Sequence, residues 1–143
     1  MRTYIALVAL LLFSSCTNRQ DNGDNNVAIA KKMFDAFNEH QWQAMADFYR
    51  DSASFLDPSF GKDYVTQSRA AVVEKYTGFQ EAFPNIHDEV LGMYPSGDKV
   101  TVEFVSTGTS ADGISFKLPI VTVLTFNNGL IVKDATYYDL ENP

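Results

Sequence analysis

Two aspartates and a tyrosine are the residues of this chain best suited to chemistry. Asp57 closes a short alternating stretch, Ala53–Asp57, directly before Pro58. A carboxyl group partly buried in an apolar enclosure has its pKa pushed toward neutrality, as proton abstraction beside a carbonyl requires. The same position also suits an aspartate that merely ends a strand and bonds local backbone. Asp134 stands in an alternating row with Val132, Thr136 and Tyr138. It could pair with Asp57 as an acid/base couple, bind a ligand's cation, or face solvent beside Lys133 or Lys117. Tyr138 could carry its hydroxyl to a ligand carbonyl, or pack in the core with the hydroxyl wet. Thr122 and Thr136 complete a candidate pocket lining, although strand propensity alone would place threonine at both.

These groups need a scaffold, and the last third of the chain provides most of it. Ile114–Phe126 and Leu130–Asp139 read as two strands joined by Asn127-Asn128-Gly129, where Asn-Gly supplies the positive φ angles of a tight hairpin. Successive side chains point to opposite faces of a sheet, so Phe116, Leu118, Ile120, Thr122 and Leu124 share one row. The mixed row on the partner strand suits the wall of a half-enclosed pocket. Pro119 within the first strand requires an edge position or a bulge.

Upstream, Val27–Asn38 has apolar residues at helical spacing, namely Ala30, Met33, Phe34 and Phe37. A break at Glu39–Gln41 leads to a second helix with Trp42, Met45, Ala46 and Tyr49 on one core-facing side, and His40 in the break is expected to face solvent. Ser59–Gln67 reads as a loop over the pocket mouth. Ser68 is the expected N-cap of a third helix that buries Val72, Val73, Tyr76 and Phe79 and ends at Pro84-Asn85. Ile86–Tyr94 and Lys99–Gly108 form a further hairpin, and His87 at its start is expected to be exposed. The order of helix, helix, strand, helix and four antiparallel strands gives an α+β domain, a curved and mostly antiparallel sheet wrapped around three helices.

At 143 residues the chain suffices for one domain, and its net charge of −7 repels nucleic acid. No phosphate-binding glycine loop, nucleophile triad or metal-ligand cluster is present, so neither a cofactor nor a metal is expected. The N-terminus carries Arg2, an apolar run Tyr4–Phe13 and then Ser14-Ser15-Cys16. Ten apolar residues are too few to span a bilayer but suit a signal peptide. Phe13-Ser14-Ser15-Cys16 resembles a bacterial lipobox, which implies cleavage before Cys16 and lipidation of its sulfur. Ordinary cleavage, with Cys16 incidental, is the alternative. The expected division is a signal over 1–15, a flexible tether over 16–26 and a domain over 27–143, held extracytoplasmically in the cell envelope and touching the membrane through the anchor alone. With one cysteine, no internal disulfide can form.

Phe34-Asp35-Ala36-Phe37-Asn38, Phe83-Pro84-Asn85, Gly97-Asp98-Lys99-Val100, Thr107-Gly108-Thr109 and Asn128-Gly129-Leu130-Ile131-Val132, in this element order, resemble the SnoaL-like group of the nuclear transport factor 2-like superfamily. That superfamily includes ketosteroid isomerase, limonene epoxide hydrolase and polyketide cyclases. The resemblance covers nearly all of Val27–Asp139 and implies a cone-shaped α+β fold, a pocket between sheet and helices, and homodimers formed through the sheet. It places Asp57 where ketosteroid isomerase has its general base. Met33 then falls at the oxyanion-binding phenol and Thr122 at its partner acid. Thr136 falls at the catalytic aspartate of the epoxide hydrolase and cyclases, whose histidines fall near Thr122 and Asp134. None of these constellations is complete. The function expected is therefore binding of a small, largely apolar ligand without inherited catalysis. The alternatives are a cofactor-independent isomerase or cyclase using Asp57, and a dimeric interaction module.

Overall fold

The computed structural model describes residues 17–139. Helix α1 (Thr17–Asn38) and the short α2 (Trp42–Ala46) precede strand β1 (Tyr49–Leu56). A 3₁₀ turn (Pro58–Phe60) and strand β2 (Val65–Gln67) lead into helix α3 (Arg69–Ala82). Strands β3 (His87–Ser96), β4 (Lys99–Thr109), β5 (Ser115–Asn127) and β6 (Leu130–Tyr137) complete the chain. The six strands form one sheet in the order β2-β1-β6-β5-β4-β3, in which only β1 and β6 run parallel. This is the α+β architecture expected, with helices on the concave side of a mostly antiparallel sheet.

Alternation decides which side chains enter the concave side. Val100, Val102 and Phe104 of β4, and Leu124 and Phe126 of β5, are buried with Ala30, Met33, Phe34 and Phe37 of α1. Phe34 meets Phe104 edge-on at 4.9 Å, and Phe37 meets Trp42 at 5.3 Å. Asn128 and Gly129 both take positive φ, 52° and 77°, as a tight hairpin with two left-handed central residues demands. Pro119 pairs with Val105 of β4 without a bulge. β6 ends at Tyr137, opposite Val121, so Pro119 has the edge position on its other side. The β5–β6 bulge lies instead at Thr125/Phe126. Beyond it Ile131 is the fully buried residue and Val132 only half-buried, so the mixed row keeps its phase from Asp134 to Tyr138 alone.

Four local expectations are corrected. The segment over 17–26 is the start of α1 rather than a loose tether. Gly23 there lies so close to the β3–β4 hairpin that an added Cβ would sit 3.3 Å from Pro95 Cβ, and Asn26 is buried. Tyr49 begins β1 instead of continuing the second helix, because α2 stops at Ala46. The 59–67 loop contains the 3₁₀ turn and β2, which pairs with β1 through Val65, Thr66 and Gln67. His40 is held inside rather than turned to solvent. Its Nε2–H donates to Ile86 O (2.9 Å), its Nδ1 accepts from the Gln80 amide (3.0 Å), and its ring stacks on Trp42. This tautomer follows from Gln80, whose Oε1 already accepts from the Trp42 indole at 2.7 Å. Cys16 and the signal expected over 1–15 lie outside the described residues.

Candidate functional site

Asp57 stands where β1 gives way to the 3₁₀ turn. Its Oδ1 accepts from Ser59 N at 2.8 Å, so it does bond local backbone. The same oxygen also accepts from the Tyr138 hydroxyl at 2.8 Å, across 81 residues of sequence. Its Oδ2 meets the Lys75 ammonium of α3 at 2.7 Å. That ammonium lies 4.4 Å from the Phe60 ring centroid and 5.3 Å from that of Tyr76. Burial alone would push the Asp57 carboxyl up, but the Lys75 charge and the bonds from Lys75 and Ser59 outweigh it and hold the carboxyl below the ordinary aspartate range. The near-neutral pKa expected of a general base is therefore overturned, and the cause is an ammonium that alternation could not foresee. Tyr138 moves the other way, to about 12, through burial and then its bond to anionic Asp57. Tyr137, one residue earlier, is exposed on the other face.

Asp134 is buried, which removes the solvent-facing alternative. Three hydroxyls surround it. Tyr49 donates to Oδ2 at 2.7 Å, Thr122 to Oδ1 at 2.5 Å and Thr136 to Oδ1 at 3.0 Å. Burial raises the carboxyl's pKa, against the lowering effect of these donors. Lys133, one of the cations considered for it, lies over the Tyr64 ring instead, at 3.9 Å. Met33 is plain core.

Asp57 and Asp134 line a single cavity of about 20 Å³ together with Phe55, Phe60, Lys75, Tyr76 and Thr136. That volume is room for about one water. The residues read as a pocket thus converge, Tyr138 through its bond to Asp57 and Thr122 through its bond to Asp134, but a cavity of this size leaves no space for a ligand. A larger open cleft of about 810 Å³ lies between the start of α1 and the two hairpin turns and contains none of Asp57, Asp134 or Tyr138. Among the described residues, no three His, Cys, Asp or Glu side chains gather as metal ligands, and no helix is long and apolar enough to cross a membrane.

Sequence reasoning missed Tyr49, Lys75 and Asp88 as polar members of the interior, and took Tyr76 for core packing alone. Asp88 of β3 faces Ser106 of β4 in the strand register, and Asn38 holds its backbone N–H and C=O at 2.8 and 2.9 Å. Its Oδ1 is buried without a partner, and burial pushes its pKa to about 7. Its place one alternation after buried Ile86 was a usable signal. The Tyr76 phenol is raised well above its ordinary range by burial, then by the carboxyls of Asp134, Asp57 and Asp88. Three acids, one on β3, one on β6 and one just past the end of β1, therefore act on one aromatic side chain from α3.

A family model for the SnoaL-like domain matches residues 30–133. Among solved structures, the chain is similar to a protein with a ketosteroid isomerase-like fold from Catenulispora acidiphila, solved in complex with trimethylamine. The two are 22% identical over 78% of this chain and 85% of that one, with a TM-score of 0.69. It is also similar to the epoxide hydrolase/cyclase-like enzyme SalBIII of pyran ring formation in salinomycin, at 22% identity over 83% and 94% of the two chains and a TM-score of 0.72. A cystatin-fold protein from Novosphingobium aromaticivorans is 20% identical over 78% and 97%, with a TM-score of 0.67. At these identities the likeness concerns the fold. Comparison with curated protein sequences finds no match.

Proposed function

The chain belongs to the SnoaL-like domain family, and on that premise we propose that its cone binds a small, largely apolar ligand without catalytic turnover. The observation that carries the reading is that Asp57 and Asp134 line one cavity with aromatic walls, while the Asp57 charge is already engaged by Lys75. A carboxylate held below its ordinary pKa by an ammonium at 2.7 Å is a weak general base. Asp134 has both oxygens occupied by hydroxyl donors. Ligand entry requires displacement of Phe60 and Lys75, the movable members of the lining on the 3₁₀ turn and α3. The amine complex of the Catenulispora protein is a case of a small molecule held by a protein of this fold.

Titration of the full chain with N-phenyl-1-naphthylamine, a neutral fluorescent probe, tests the reading. A saturable rise at one site per chain is expected, and no saturable rise counts against a ligand-binding cone. If a β,γ-unsaturated ketone is isomerised by the wild type but not by Asp57→Asn, the acid/base alternative replaces this one.

The interaction-module alternative keeps one specific support, the near-filled cone. Its outer sheet face carries Val105, Pro119, Val121, Val123 and Tyr137 in adjoining register. We place the domain outside the cytoplasm on a Cys16 lipid anchor, on the sequence grounds of the apolar run and Cys16, and pair it through that outer face as the family resemblance implies. Cys16→Ser should release the chain from the membrane fraction as a dimer. Continued retention argues against the anchor, and a monomer mass in sedimentation argues against the pairing.

A further inference from the structure

We propose that the cone is a seat for a small organic cation, an alkyl- or quaternary ammonium, and that the Lys75 ammonium fills this seat in the closed form. The inference rests on the ligand-binding reading above and gives that ligand a chemical class.

The seat is defined by what surrounds Lys75 Nζ: Asp57 Oδ2 at 2.7 Å, the Phe60 ring at 4.4 Å and the Tyr76 ring at 5.3 Å. Ring faces carry the negative lobe of the aromatic quadrupole, so two rings and one carboxylate make a box suited to a weakly hydrated cation. An ion pair alone would need only Asp57. The box is extended behind Tyr76, which stacks on Trp42 at 5.7 Å and meets Phe37 edge-on at 5.4 Å.

Charge fixes the sign of the occupant. Among the described residues lining the cavity Lys75 is the one cation, against the carboxyls of Asp57 and Asp134. An entering anion would meet these carboxyls in a chain of net charge −7, whereas a cation is drawn in. Lys75 is also the replaceable member. Its side chain is 28% exposed, and its flexible stem can carry the ammonium out to water. A ligand cation taking its place leaves Asp57 paired throughout, so no buried charge is stranded during the exchange. Removing the lysine head and its terminal carbons also enlarges a cavity that otherwise holds about one water.

Trp42 is the single tryptophan of the chain and stacks on Tyr76, so its emission reports the seat. Full-length wild type, Lys75→Ala and Phe60→Ala are titrated with choline and with 3,3-dimethylbutan-1-ol, its uncharged isostere. Lys75→Ala is expected to bind choline at least about tenfold more tightly than wild type does, and about tenfold more tightly than it binds the alcohol. Adding Asp57→Asn to Lys75→Ala should abolish that preference. Equal affinity for choline and the alcohol overturns the cation class while leaving a ligand-binding cone intact. Binding of neither compound by any of the three proteins overturns both. Should Lys75→Ala lose its circular dichroism signature of folding, wild type and Phe60→Ala decide. Loss of Phe60 must then weaken choline more than the alcohol, and an equal effect on the two overturns the proposal.

Discussion

Asp134→Ala is expected to lower the unfolding free energy by about 3 kcal/mol and the melting temperature by about 10 °C, whereas Asp134→Asn costs less than about 1 kcal/mol. The contrast follows from the hydroxyls around the carboxyl. Alanine leaves the Tyr49 hydroxyl without its acceptor inside the core and takes from Thr122 and Thr136 a shared one. Thr122 can still reach Ala135 O at 3.3 Å, so Tyr49 carries most of the loss. Asparagine keeps an oxygen for both threonines and turns its amide toward Tyr49, whose phenolic oxygen can accept. It also removes an ionisable group that burial disfavours in its charged form. Urea unfolding of the three proteins measures both numbers. Equal losses in the two variants would show that the charge, and not the hydrogen-bond geometry, is what the fold needs at this place.

Asp88→Asn should make the protein more stable above neutral pH and flatten its pH dependence. An aspartate whose pKa rises on folding from 3.8 to about 7 keeps its proton in the folded chain where the unfolded chain has released it. Its contribution to stability is therefore complete below pH 3.8 and is lost as the pH rises to about 7. At ~1.4 kcal/mol per pH unit that loss amounts to about 4 kcal/mol. Asp134, raised by burial, acts in the same direction. Asp57 is lowered, so its contribution is lost only as the pH falls below the ordinary carboxylate range, and it is silent between pH 5 and pH 8. Across that interval the wild type should lose stability, and Asp88→Asn should remove about 2–3 kcal/mol of the loss. Ser106 bonds the Asp88 carboxyl and Asp88 acts on the Tyr76 phenol, and neither hydroxyl titrates in the interval. Parallel slopes for the two proteins would place the pH dependence on another group.

What could be read in advance divides along physical lines. The closing hairpin was legible because Asn128-Gly129 fixes the turn and alternation groups Asp134 with Thr136 opposite Thr122, although the bulge at Thr125/Phe126 breaks the period before Asp134 and was not legible. The buried face of α1 was equally plain, whereas on α3 Val72 is buried, Val73 and Tyr76 are half-buried and Phe79 is exposed, so that stripe was read too long. Lys75 was not legible as a partner of Asp57. It sits beside Val72 and Tyr76 on α3, but a lysine there equally well sends its long stem to water, and no local pattern says which carboxyl it will meet. Tyr49 misled because Trp42, Met45, Ala46 and Tyr49 keep helical spacing after the helix itself has stopped at Ala46. The three residues of β2 are too few to show any period. The expected pKa of Asp57 was wrong because burial was weighed without the ammonium that opposes it.

The parallel pairing of β1 with β6 bears on when the interior can exist at all. Tyr49 and Asp134 are 85 residues apart, and Asp57 and Tyr138 are 81 apart, yet each pair shares a hydrogen bond. Every other strand contact except this one joins neighbours in chain order, and those can zip locally once their turns form. The β1–β6 seam must instead close a loop spanning most of the domain, with the entropic cost that such long-range closure brings. Folding should therefore begin in the β3–β6 meander and finish at this seam. Until β6 docks beside β1, Asp57 has no Tyr138 and Asp134 has no Tyr49. The bonds that cross the seam, Tyr49 to Asp134 and Tyr138 to Asp57, should therefore be the last of the site to form.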